Sequence, residues 1–96
     1  MANVIHKFLL RRAGQAVTIN LPAGSLLMKI DVQDESPYAW VFLNKDASHD
    51  TPHDFLIVGT GREIPDGYWL FHTFFEGAYV WHGCLRIRPV GSIAHV

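Results

Sequence analysis

Residues 68–81 hold seven of the chain's twelve aromatic side chains: Tyr68, Trp69, Phe71, Phe74, Phe75, Tyr79 and Trp81. They fall on both parities. Successive side chains of a β-strand point to opposite faces, so a sheet with one wet face carries its aromatics on one parity only. The segment therefore predicts strands with two apolar faces. A chain of 96 residues has one core and buries roughly 65% of the surface of its unfolded state, so the second face needs its own cover. Three exposed aromatics would present roughly 450 to 750 Å², at or above the largest patch a monomer usually tolerates. A crossing segment of the same chain, a second subunit, a ligand or a foreign protein would each serve.

Charged residues make up 18% of the chain against 49% hydrophobic, and the net charge is -1, the balance of a packed globule. Without a basic excess, extended nucleic-acid binding is not expected. Cys84 is the single cysteine, so no internal disulfide is possible, which fits a reducing cytoplasm. The N-terminal residues lack a long apolar stretch, and no run approaches the roughly 18 apolar residues of a membrane span. The expected setting is intracellular, away from membranes.

Turn residues divide the chain into seven β-type runs, at 4–10, 15–21, 25–33, 38–43, 53–60, 68–75 and 78–88. Val17, Ile19 and Leu21 alternate against Ala16, Thr18 and Asn20, the period of a half-buried strand. Leu26, Met28, Ile30 and Val32 alternate against Lys29, Asp31 and Gln33, placing the four apolar residues on one face. Residues 34–37 read as a turn and 44–51 as the longest surface loop. Short strands at this spacing predict an all-β fold, a single-domain antiparallel β-sandwich or small barrel over residues 1–88, with a tail at 89–96.

A two-residue loop at Glu76-Gly77 would set the register of the aromatic hairpin, pairing Phe75 with Ala78, Phe74 with Tyr79, His72 with Trp81 and Trp69 with Cys84. One face then collects Tyr68, Leu70, His72, Phe74, Tyr79, Trp81 and Leu85. The other holds Trp69, Phe71, Thr73, Phe75, Val80, His82 and Cys84 and runs out into Arg86 and Arg88.

Several short motifs recur in a fixed order: Lys7-Phe8, Leu21-Pro22-Ala23-Gly24, Ile30-Asp31-Val32-Gln33, Pro37 followed by Trp40, Gly59-Thr60-Gly61, and Gly77-Ala78-Tyr79-Val80-Trp81-His82. Over residues 4–84 this order resembles a family of small uncharacterised phage and prophage proteins. The chain departs from that pattern at Leu9, where the family tends to have proline, and in a tail that passes the usual end. The resemblance brings no established activity. It implies a cytoplasmic accessory protein of a phage-infected or lysogenic bacterium, a class that often acts on host defence.

The residues themselves offer few catalytic prospects. Gly59-Thr60-Gly61-Arg62 could form a backbone nest for an anion with Arg62 as its charge partner, although it lacks a P-loop lysine. The run 49–54 sets His49 and His53 beside Asp50 and Asp54, but recognised zinc spacings are missing, so no metal and no cofactor are expected. Cys84 lies in a strand, the setting of a buried, inert thiol. Aromatics edged by arginines would suit a nucleotide, through stacking and bidentate contacts to phosphate. The candidate binding residues are Trp69, Phe71, Trp81, His82, Arg86, Arg88, Gly59, Gly61, Arg62 and Trp40. The expectation is a homo-oligomeric, non-enzymatic phage accessory protein of the host cytoplasm that captures a host defence protein or sequesters a small nucleotide-like ligand. The alternatives are a structural or assembly component of the particle and a small metal-dependent enzyme.

Overall fold

The alternating runs all become strands. The computed structural model describes residues 3–11 and 14–88, so the expected tail at 89–96 lies outside the described residues. Among the described residues there are seven strands and no helix: β1 (Val4–Leu9), β2 (Val17–Pro22), β3 (Leu26–Gln33), β4 (Ser36–Leu43), β5 (Asp50–Gly59), β6 (Trp69–Glu76) and β7 (Tyr79–Ile87). Every pairing is antiparallel. Sheet A has the order β1-β4-β3 and sheet B the order β2-β5-β7-β6, and the two pack as an open sandwich.

The inner faces meet over Ile30, Ala39, Val41 and Leu43 from sheet A and Leu21, Phe55, Ile57, Phe74 and Leu85 from sheet B, with Leu10 just beyond β1. Burying such side chains stabilises the fold by about 1.5 to 3 kcal/mol each. The two sheets come close at Gly83. A Cβ there would lie 2.8 Å from Ile30 Cδ1, so glycine lets the sheets meet at that point.

Turn chemistry sets two registers differently from expectation. The β3–β4 turn is Asp34-Glu35 alone, with φ of 52° and 66°, the left-handed pair of a type I′ hairpin. Ser36 and Pro37 belong to β4, where Ser36 pairs with Gln33 and Pro37 with Val32. In the β6–β7 hairpin the loop is Gly77-Ala78 rather than Glu76-Gly77, because the positive φ falls on Gly77 (56°), the first central position of a type II′ turn. Glu76 therefore pairs with Tyr79, Phe75 with Val80, Phe74 with Trp81 and Trp69 with Leu85. This slip of two residues preserves parity from His72 onward.

Two β-bulges change which face a residue occupies. The irregularity between Leu70 and His72 reverses parity along β6, putting Trp69 on the inner side with Leu85 and Leu70 on the outer side with Cys84, the opposite of the expected faces. The irregularity between Leu27 and Lys29 does the same in β3. Leu26 pairs with Phe42 and Lys29 with Trp40, so Leu26 joins Lys29 and Asp31 on the outer face instead of joining Ile30. Leu26 and Met28 are accordingly 60% and 54% exposed, where alternation had placed them in the core.

Strand order fixes what covers the second apolar face. β7 lies between β5 and β6, so the connection from β5 to β6, residues 60–68, must cross β7. It crosses the outer face. A Cβ on Gly67 would stand 3.1 Å from Arg86 Cδ, and Tyr68 packs against Leu56, Val58 and Cys84 in a small second core.

Candidate functional site

Beneath that crossing segment, Asp54 anchors the outer face of sheet B. Asp50 and Thr51, expected at the end of the surface loop, already belong to β5, and Thr51, His53 and Asp54 are buried. Asp54 Oδ1 accepts a hydrogen bond from Thr18 Oγ1 at 2.6 Å and another from Arg88 Nη2 at 3.2 Å. Its Oδ2 accepts from Arg86 Nε at 2.8 Å. Arg88 Nε lies 3.0 Å from the same oxygen, an ion pair without a hydrogen bond. Burial pushes the carboxyl's pKa up, but the Thr18 and Arg86 hydrogen bonds and the two guanidinium charges outweigh it, and the net pKa lies below the ordinary carboxylate value. The bond to Asp54 in turn raises the Arg86 pKa. Arg86 also lies over the Tyr68 ring, 4.6 Å from its centroid, tying the end of the crossing segment to β7.

His82, beside them, is committed within the fold. Its Nε2 lies 2.9 Å from Thr60 Oγ1 and its Nδ1 lies 3.0 Å from Thr73 Oγ1, so the imidazole links the start of the crossing segment to β6. Cys84 is fully buried, and burial raises its thiol pKa. Of the expected guanidinium edge, Arg86 and Arg88 hold Asp54 and His82 holds two threonines.

The ten candidate binding residues divide among four places. His82, Arg86 and Arg88 lie on the outer face of sheet B. Trp69 and Phe71 lie on its inner side along β6, the edge strand; Phe71 packs against the main core and Trp69 is half exposed. Gly59, Arg62 and Trp81 come together, with Gly61 (φ 87°) in the turn between the first two. Trp40 is elsewhere, in the middle of sheet A.

Gly59, Arg62 and Trp81 line an open cleft of about 670 Å³. Leu56 and Val58 of β5 form its apolar base, Gly14 of the β1–β2 connection lines it as well, and Arg62, Glu63 and Pro65 come from the crossing segment. Trp81 donates from Nε1 to Glu76 Oε1 at 3.1 Å and packs at 6.0 Å against the Tyr79 ring. A shallower hollow of about 470 Å³ adjoins it, between Thr60 and the β6–β7 turn. Arg62 is exposed, and its guanidinium makes no hydrogen bond or ion pair among the described residues. The cleft thus joins a cation, a carboxylate and apolar walls in a volume within the usual range of small-molecule sites.

Sequence reasoning missed Leu56, Val58, Glu63 and Pro65, because the crossing segment reads only as turn-rich chain until strand order places it over β5 and β7. It also missed the outer face of sheet A. There Tyr38, Trp40 and Phe42 alternate along the central strand and stand beside Ile5, Lys7 and Leu9 of β1 and Leu26, Lys29 and Asp31 of β3. The i, i+2, i+4 spacing of the three aromatics was the available signal.

The two histidines of the run 49–54 lie in different surroundings. His53 is buried and its Nδ1 donates to the Thr51 carbonyl at 2.8 Å, whereas His49 is exposed beside Ser48. No group of three or more His, Cys, Asp or Glu side chains that could hold a metal ion occurs among the described residues. Nor is there a helix among them long and apolar enough to cross a membrane.

A family model described as a domain of unknown function, DUF7352, matches residues 1–92. The chain belongs to this family. No curated protein and no solved structure matches it.

Proposed function

We propose that this DUF7352 domain is a non-enzymatic binding protein that sequesters a small nucleotide-type ligand in the cleft beneath the crossing segment. It would act as an accessory to counter-defence in the cytoplasm of a phage-infected or lysogenic bacterium. The observation that carries the reading is Arg62, whose exposed guanidinium makes no hydrogen bond or ion pair among the described residues, at a cleft with an apolar base. A nucleotide has matching parts: an anionic group for Arg62, exocyclic N–H donors for Glu63 and a flat base for Pro65 and Trp81. The non-enzymatic part is supported by the state of the possible catalytic groups. His53 is bonded inside the fold, His82 holds two threonines, and the Cys84 thiol is buried with a raised pKa. The phage setting rests on the sequence resemblance alone.

Isothermal titration against linear and cyclic mono- and dinucleotides tests the reading. Binding of at least one is expected, and Arg62→Ala should weaken it roughly 10- to 100-fold, the loss of one charged hydrogen bond. No binding at millimolar ligand, or equal binding by Arg62→Ala, would overturn it.

A further inference from the structure

Two opposite charges stand side by side at the cleft without pairing. Arg62 and Glu63 are consecutive, both line it, and neither side chain makes a hydrogen bond or ion pair among the described residues. Their backbone is held from both ends. Upstream, the Arg62 N–H donates to the Gly59 carbonyl at 3.2 Å, closing a turn whose third residue, Gly61, has φ of 87°. Downstream, the Tyr68 N–H donates to the Pro65 carbonyl at 3.4 Å, and Tyr68 is itself packed over Leu56, Val58 and Cys84. Residues 62–65 thus run between two closed turns, and the proline ring restrains the last of them further.

The other side chains of the cleft leave polar recognition to these two groups. Leu56, Val58 and Pro65 are apolar, and the Trp81 Nε1–H is engaged by Glu76 Oε1 at 3.1 Å, so the indole offers only its ring. Arg62 can only donate, and the Glu63 carboxylate can only accept. A phosphate alone would satisfy Arg62 and bring a second anion close to Glu63. A complementary ligand therefore carries N–H donors at a place apart from its phosphate.

The common bases differ in how they meet such an acceptor. The Watson–Crick edge of guanine carries N1–H and the N2 amino group side by side, two donors for the two carboxylate oxygens. Adenine sets its N6 amino group next to the N1 lone pair, and cytosine sets its N4 amino group next to N3. Uracil flanks its single N3–H with two carbonyls. Each of these three turns a lone pair towards the carboxylate, a mismatch that a hydrogen-bonding site rejects. We infer that the cleft selects guanine nucleotides, with Glu63 as the specificity residue that accepts from N1–H and the N2 amino group while Arg62 holds phosphate. This inference rests on the nucleotide reading of the cleft and names its base.

Isothermal titration of the whole chain with the guanine, hypoxanthine, adenine, cytosine and uracil forms of the same mono- and dinucleotides tests it. The guanine form should bind roughly 10- to 100-fold more tightly than the adenine, cytosine and uracil forms. The hypoxanthine form, which keeps N1–H and lacks the amino group, should fall between. Glu63→Gln should remove most of the guanine preference and leave affinity for the adenine form within roughly twofold. Glu63 is exposed, so this variant should keep the wild-type circular dichroism spectrum. Equal binding of the guanine and adenine forms by the wild-type chain would overturn the inference and leave the nucleotide reading standing. So would a full guanine preference in Glu63→Gln. Binding of none of the forms at millimolar concentration would overturn both.

Discussion

Over β5 and β7 the outer face of sheet B is covered by its own chain, whereas the outer face of sheet A leaves Ile5, Leu9, Leu26 and Met28 more than half exposed, as the edge strand β6 leaves Leu70 and Phe75. Both faces carry aromatics and aliphatics, so composition does not separate them. Topology does. Because β7 lies between β5 and β6, residues 60–68 must cross sheet B, and Tyr68 closes over Leu56, Val58 and Cys84 as they do so. Sheet A is joined internally by the tight β3–β4 hairpin, and its order β1-β4-β3 calls for no crossover on its outer side. A covered face can be furnished with a buried charge cluster and a cleft; an open one keeps its apolar side chains in water.

The strongest test of this contrast is Asp54, the acid that organises the covered face. Asp54→Asn leaves Arg86 and Arg88 without their carboxylate. Removing one partner of a buried pair destabilises by about 3 to 5 kcal/mol, and because the two arginine side chains keep 38% and 30% exposure, the expected loss is near the lower end, about 3 kcal/mol. Urea denaturation measures it. A loss under about 1 kcal/mol would show that the cluster does not hold the crossing segment in place.

The same residue gives a smaller, pH-dependent effect. Its folded pKa lies below the ordinary carboxylate value, so its contribution to stability is complete above that value, near pH ~4, and is lost as pH falls through the folded pKa. Wild-type and Asp54→Asn unfolding midpoints should therefore converge as pH drops below about 4 and stay apart above it. Parallel curves throughout would mean that the carboxylate has no special stabilisation in the native state.

These tests depend on residues that were only partly legible in the sequence. The strand count, the antiparallel sandwich and the inward alternation of β2 follow directly from period and turn residues. Gly59, Gly61 and Arg62 could be singled out because a glycine-flanked turn is a local feature. Asp54 falls within the expected strand 53–60, but its burial could not be read, because only pairing with β2 and β7 brings Thr18, Arg86 and Arg88 to it. Bulges are harder still. Neither Met28 nor Phe71 carries any compositional mark of an extra residue in the ladder, yet each reverses the faces of the residues before it. The II′ turn at Gly77 was readable, because glycine at the first central position is the signature of that turn. Reading Glu76-Gly77 as the loop missed it.

The finest comparison sets two leucines against each other. Leu56 lies on the covered face and is 4% exposed, while Leu26 lies on the open face and is 60% exposed. Leu56→Ala removes side chain from a closed cluster and should destabilise by about 2 kcal/mol or more. Leu26→Ala removes side chain already in water and should change the stability of the single chain by less than about 0.5 kcal/mol, measured at a concentration low enough to keep copies apart. The alternation of β3 alone predicts the reverse for Leu26, a core position with a cost like that of Leu56. A loss near 2 kcal/mol at Leu26 would therefore restore the unbulged strand, return Leu26 to the core and dissolve the open face. A loss within the smaller bound leaves the bulge in place and, with it, Leu26 on the outer face in water.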